Sequence, residues 1–205
     1  LLNVLRKVGI VAVVGAVIGW LFWQSVQGSL SEPYVIERGL VAEWQLVLRG
    51  PMQPGVGVLV LQPTDLLRAE LFSQIFGRTM ESMTSPAVAA IPVLLHSEYQ
   101  SVQEQLSLIE LEVSAQEAGL DRVLPTPICI GHLRRPPTHQ LYYALFSAPA
   151  VDQFRQGLSQ REGSASSLTE SFPLVIPLAA SDGNFSSWWP LDVSEADCQA
   201  PLEVQ

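Results

Sequence analysis

Positive charge is scarce in this chain: 11 lysines and arginines stand against 20 acids in 205 residues, a net charge of -9 with a pI near 4.7. A protein that neutralises phosphates needs a basic face, so nucleic acid and anionic lipid surfaces are not expected partners. Histidine and cysteine are also sparse, at three and two residues. No HExxH, CxxC, GxSxG, Walker A, GxGxxG or CxxCH pattern occurs, which removes the common metal, nucleophile, nucleotide and c-type haem readings. No cofactor and no metal site is expected, and no catalytic residue can be named. A small-molecule ligand is left open. At this length a core can be buried without metals or disulfide staples, so the cysteines are optional to the fold.

What is abundant is apolar residue: 48% hydrophobic against 15% charged, with a mean hydropathy of +0.26. Much of it is concentrated in residues 8–26, VGIVAVVGAVIGWLFWQSV, where no charge occurs and Gln24 and Ser25 are the only polar residues. As a helix rising about 1.5 Å per residue, this stretch spans roughly 28 Å, close to the thickness of a bilayer's hydrocarbon core. One transmembrane helix is expected there. Arg6 and Lys7 precede it and the next cation is Arg38, so residues 1–7 are expected in the cytoplasm and the remainder on the periplasmic or lumenal side of an inner or equivalent energy-transducing membrane. A cleaved signal peptide ending near Gly28 is the alternative, although the apolar run is long for one.

Within the helix, Ala12, Gly15, Ala16 and Gly19 form a small-residue stripe on which another helix can pack closely. The bland alternative is that small residues are simply common in membrane helices. Trp20 and Trp23 lie near the outer end, where aromatic rings favour the headgroup region. The segment has no histidine or acid, so it offers no axial ligand to a haem or chlorophyll and no proton relay.

Beyond a tether at 27–40, the pattern predicts an α+β domain over 41–180, with helices packed on a mainly antiparallel sheet. A ferredoxin-like arrangement fits that order. Strands are expected at 41–48 and 55–61, paired across a 50–54 turn. A helix follows with Thr64 as N-cap and a wide apolar face formed by Leu67, Leu71, Phe72, Ile75, Phe76, Met80 and Met83. Residues 91–95 read as an edge strand because of Pro92. A helix is expected within 98–118, where Ser107 and Glu110 make a capping box and Gly119 a terminator. The strongest β signal is a hairpin of 127–133 and 139–147 around a 134–138 loop. Pro149 opens a helix with Val151, Phe154 and Leu158 on one face, and 172–179 is a last, proline-interrupted strand.

Residues 181–205 read as an irregular acidic tail. After Arg161 there is no cation but seven acids in 44 residues, and among them stand Phe185, Trp188 and Trp189. Aromatic rings of this size must bury somewhere, either on their own domain or as anchors against a partner. Cys129 and Cys198 could join in a disulfide that pins the tail to the sheet, and a buried free thiol is as ordinary. His132 and His139 flank the hairpin loop and could begin a metal or catalytic site only with further ligands. Arg134 and Arg135 could clamp an acidic partner or remain solvated.

The expected function is therefore a non-catalytic accessory subunit of a larger membrane-protein complex, respiratory, photosynthetic or secretory, with other integral membrane subunits and the bilayer as partners. The alternative is a membrane-tethered binding or assembly factor, which should carry an apolar groove. An envelope enzyme is the third reading, and it needs His132, His139 or a tail acid to converge in one cleft.

Overall fold

The computed structural model describes residues 13–21, 24, 28–50, 57–104, 106–161, 173–189 and 191–205. The domain is α+β, with a mostly antiparallel curled sheet and packed helices. Residues 13–21 are helical (α1), and no helix among the described residues is long and apolar enough to cross a membrane. Residues 8–12, Phe22, Trp23, Ser25 and Val26 of the expected span lie outside the described set.

Five strands form one sheet in the order β1 (Tyr34–Ile36), β8 (Cys198–Val204), β5 (Thr126–Arg135), β6 (His139–Ser147), β7 (Leu174–Ala180). All neighbours are antiparallel except β1 and β8, where Tyr34 pairs with Leu202 in a parallel register. A second, three-stranded antiparallel sheet runs β2 (Trp44–Leu48), β3 (Gly57–Pro63), β4 (Ile91–Leu95). A ferredoxin-like arrangement is thus not adopted: its βαββαβ order would place the strands in a single sheet. Nor do the 41–180 limits enclose the fold. Residues 34–36, read as tether, and 198–204, read as irregular tail, supply two adjacent strands of the larger sheet.

The helices are α2 (Arg38–Val41), α3 (Asp65–Thr79), α4 (His96–Val102), α5 (Leu108–Glu117) and α6 (Pro149–Arg161). The Ser107 hydroxyl accepts from the Glu110 N–H at 3.3 Å and the Glu110 carboxylate accepts from the Ser107 N–H at 2.9 Å, which starts α5 where the capping box places it. Thr64 has the extended backbone of an N-cap, but its side chain makes no capping bond. On α3 only Leu67, Leu71 and Ile75 are buried, so the core-facing stripe is narrower than the sequence suggests. Phe76 and Met80 are exposed, and Met80 ends the helix in the left-handed region at φ 52°.

β6 explains the layering. Tyr142, Ala144 and Phe146 point into the main core shared with the helices and the smaller sheet, where Trp44 meets Phe146 edge-on at 5.3 Å. The alternate residues Leu141, Tyr143 and Leu145 point to the opposite face, into a second cluster with Val175, Trp188, Leu191 and Val193. The tail folds back as a cover for that face. This is why the β6 sequence is an unbroken apolar run: a strand buried on both sides loses the alternation of a half-exposed one.

One ionic contact sits inside this core. Arg155 of α6 and Glu98 of α4 are both buried, and Arg155 donates to Glu98 Oε2 at 3.0 Å and to the Val93 carbonyl at 2.9 Å. Glu98 Oε2 also accepts from the Leu95 N–H at 2.8 Å, so a single carboxylate caps α4 and ties it to α6 and β4.

Candidate functional site

The residues singled out in the tail prove to do different things. Trp188 is 1% exposed. Arg135 lies over its ring, 4.4 Å from the centroid, and donates to the Ser187 carbonyl at 2.8 Å. Trp188 is therefore a core residue rather than a free interface anchor, and Arg135 grips its own tail rather than an acidic partner. Cys129 and Cys198 form a disulfide with Cα atoms 5.7 Å apart, joining β5 to the start of β8.

The histidines are not brought together. His132 shares a 2.9 Å hydrogen bond with Gln140 Oε1 and stacks on Tyr142 at 4.1 Å. Burial is the main influence lowering its pKa from the usual imidazole value; the Gln140 bond acts in the opposite direction, and the Arg134 charge lowers it further. His139 instead pairs with Asp182 at 3.2 Å. Among the described residues no group of histidines, cysteines and acids could hold a metal ion.

On α1, Gly15, Ala16, Gly19 and Trp20 are exposed, and a Cβ placed on either glycine would meet nothing within 4 Å. Ala12 and Trp23 lie outside the described residues.

What the structure adds is a groove at the seam of the two sheets. Its volume is about 300 Å³, and it is walled by β3 and β4, the 86–90 loop, Pro177 of β7, and Phe185 and Trp189 of the tail. The lining is mainly apolar: Val60, Ala87, Val88, Ala90 and three prolines contribute alongside the two aromatic rings. Gly57 lets β3 approach β4 closely, since a Cβ there would fall 2.8 Å from Val60 Cγ1 and 3.0 Å from Pro92 Cβ.

The charged residue in this lining is Arg49, immediately after β2. It is 9% exposed, and its side chain donates to the neutral Gln62 Oε1 at 3.2 Å. No carboxylate pairs with it among the described residues. Burial alone lowers its pKa from the ordinary guanidinium value. A cation removed from water without a counter-charge is costly to the fold, and such groups are found where an anion is to be met. Sequence reasoning missed Arg49 because a lone arginine between an apolar strand and a Gly-Pro turn reads as solvated. Phe185 and Trp189, flagged there as interface candidates, do meet at this groove.

No protein-family model matches the chain, and no curated protein or solved structure matches it.

Proposed function

We propose that this chain is a non-catalytic accessory subunit of a larger membrane-protein complex. Residues 8–26 anchor it as a single transmembrane helix with the N-terminus cytoplasmic, and the α+β domain stands on the periplasmic or lumenal side. The observation that carries this reading is the environment of α1. Val13, Val14, Val17, Ile18, Trp20 and Leu21 are each about half exposed or more, from 49% to 64%. At about 100° per residue these large side chains occupy one side of the helix, and Gly15, Ala16 and Gly19 the other. Leaving such side chains in water forfeits roughly 1.5–3 kcal/mol each, and no described residue of the domain covers them, which supports a cover supplied by the membrane and its proteins. Lipid suits the large-residue side and a neighbouring helix the small-residue side.

Two further features support the placement. The Cys129–Cys198 disulfide suits an oxidising compartment. Arg78, in the last turn of α3, donates to the backbone carbonyls of Ser29, Glu32 and Pro33, so that end of α3, with Phe76 and Met80 exposed, lies beside the segment that follows the anchor.

The test is extraction of the native membrane in mild detergent, size separation and mass-spectrometric identification of the co-migrating chains. Stoichiometric membrane subunits are expected, with the association weakened by Gly15→Leu. Migration of the chain by itself would sink the reading. A second reading, a membrane-tethered binding or assembly factor, is favoured by one specific observation, the Arg49 groove.

A further inference from the structure

We infer that the groove beside Arg49 binds a single alkyl chain ending in an anionic headgroup, with the headgroup on the Arg49 guanidinium and the chain along Val60, Val88, Phe185 and Trp189. This deepens the second reading above and rests on it.

Three observations converge on that ligand. The first is charge: Arg49 is buried, and its side-chain hydrogen bond goes to a neutral amide. A guanidinium presents a fork of donors suited to a carboxylate or phosphate, and Gln62 engages only part of it. The second is the wall, which is aliphatic and aromatic apart from Arg49 and Ser186. The third is size: at roughly 30 Å³ for each water-sized unit, the space admits on the order of ten such units, the bulk of a medium-length chain rather than a two-chain lipid.

A peptide strand fits less well. β4 and β7 are edge strands of their sheets, and Pro92 and Pro177 remove N–H donors that an added strand would need. The overall charge of -9 is no obstacle, because the site depends on one enclosed cation rather than a basic surface. That charge would instead keep anions off the rest of the molecule.

The experiment uses the full chain in lipid nanodiscs, with empty nanodiscs as the blank, and titrates decanoate, decyl phosphate and decyltrimethylammonium by calorimetry. Saturable one-site binding of decanoate or decyl phosphate is expected, weakened about tenfold or more by Arg49→Gln and partly kept by Arg49→Lys, as loss of a charge-assisted hydrogen bond implies. The tighter of the two anions distinguishes a free carboxylate from a phosphate headgroup as the natural source. Val88→Phe, made at a 50% exposed position of the wall, should block the chain while leaving the core untouched. It decides the matter if Arg49→Gln fails to fold. Absence of saturable anion binding, equal binding of the ammonium compound, or binding indifferent to both folded variants would overturn the inference. Each of those results leaves the co-migration test of the membrane anchor standing, so the two readings fail separately.

Discussion

Arg78 stacks on Tyr34, its guanidinium carbon 3.8 Å from the ring centroid, while the same group donates to the Glu32 and Pro33 carbonyls, the latter at 2.7 Å. Tyr34 opens β1, which is paired with β8, and β8 is held by the disulfide to β5. The segment at 28–36 is thereby fastened to α3 and to the large sheet. Whatever pulls on the N-terminal helix pulls on the domain through these contacts.

Replacing Arg78 by alanine should accordingly release that segment. The loss of charge-assisted bonds to backbone carbonyls and of one cation–π contact should total about 2–4 kcal/mol. Lysine in its place should recover only part, because one ammonium cannot span the same carbonyls and also lie flat on the ring. Denaturant melts should show the stability change, and limited proteolysis should show new cleavage at 28–33. Unchanged protection of that segment in Arg78→Ala would refute the clamp.

The disulfide closes a loop with a sequence separation of 69. Constraint of the unfolded chain over such a loop contributes about 4 kcal/mol in the loop-entropy picture. Reduction, or Cys129→Ala with Cys198→Ala, should lower the denaturation midpoint by a corresponding amount and raise hydrogen exchange first in β8, which the bridge ties to β5, and in β1, the edge strand beyond it. Equal stability of the oxidised and reduced proteins would show that the bridge is incidental.

How far the sequence reveals this fold follows from the range of the interactions. Ser107 and Glu110 announce α5 because a capping box is made within one turn. The β5–β6 hairpin is legible because its partners are adjacent in the chain and rich in aromatic and branched residues. β1 and β8 are not legible: β1 has three residues, and its parallel partner lies more than 160 positions away. In β8 the alternation of Ala200, Leu202 and Val204 is present but interrupted to the eye by Pro201 and the surrounding acids. The need to bury Trp188 could be read from composition, whereas its partner Arg135 could not. Arg49 has no local signature at all, since the groove around it is assembled from β3, the 86–92 stretch, β7 and the tail.

The Glu98–Arg155 pair should behave as a buried ion pair does. Removing one charge leaves the other uncompensated in the core, so Glu98→Gln or Arg155→Met should each cost about 3–5 kcal/mol. The double variant Glu98→Gln with Arg155→Met should be milder than the sum of its parts, because no charge remains stranded. A double-mutant cycle by thermal denaturation measures the coupling. Strict additivity would mean that the two side chains act independently despite their contact.

Gly131 and Tyr143 face each other across β5 and β6, and the tyrosine ring occupies the space that a side chain at 131 would need: a Cβ there would fall 2.1 Å from Tyr143 Cζ. Gly131→Ala should therefore destabilise the fold by about 1–3 kcal/mol through displacement of the ring. The Tyr143 hydroxyl is buried and has no hydrogen-bond partner among the described residues. Tyr143→Phe should thus be neutral or stabilising by up to about 1 kcal/mol at neutral pH. Burial, with a smaller contribution from Asp197, pushes the Tyr143 phenol up to about 12, and Tyr142 is likewise raised to about 12, mainly by burial. The folded state then keeps protons that the unfolded chain releases near pH 10, so the stability from this source is complete below about pH 10 and is lost as pH rises toward about 12. Tyr143→Phe should flatten that alkaline decline while Tyr142 keeps the remainder. Denaturant melts across that interval, read together with phenolate absorbance, test the assignment, and a decline as steep in Tyr143→Phe as in the parent chain would place the titrating group elsewhere.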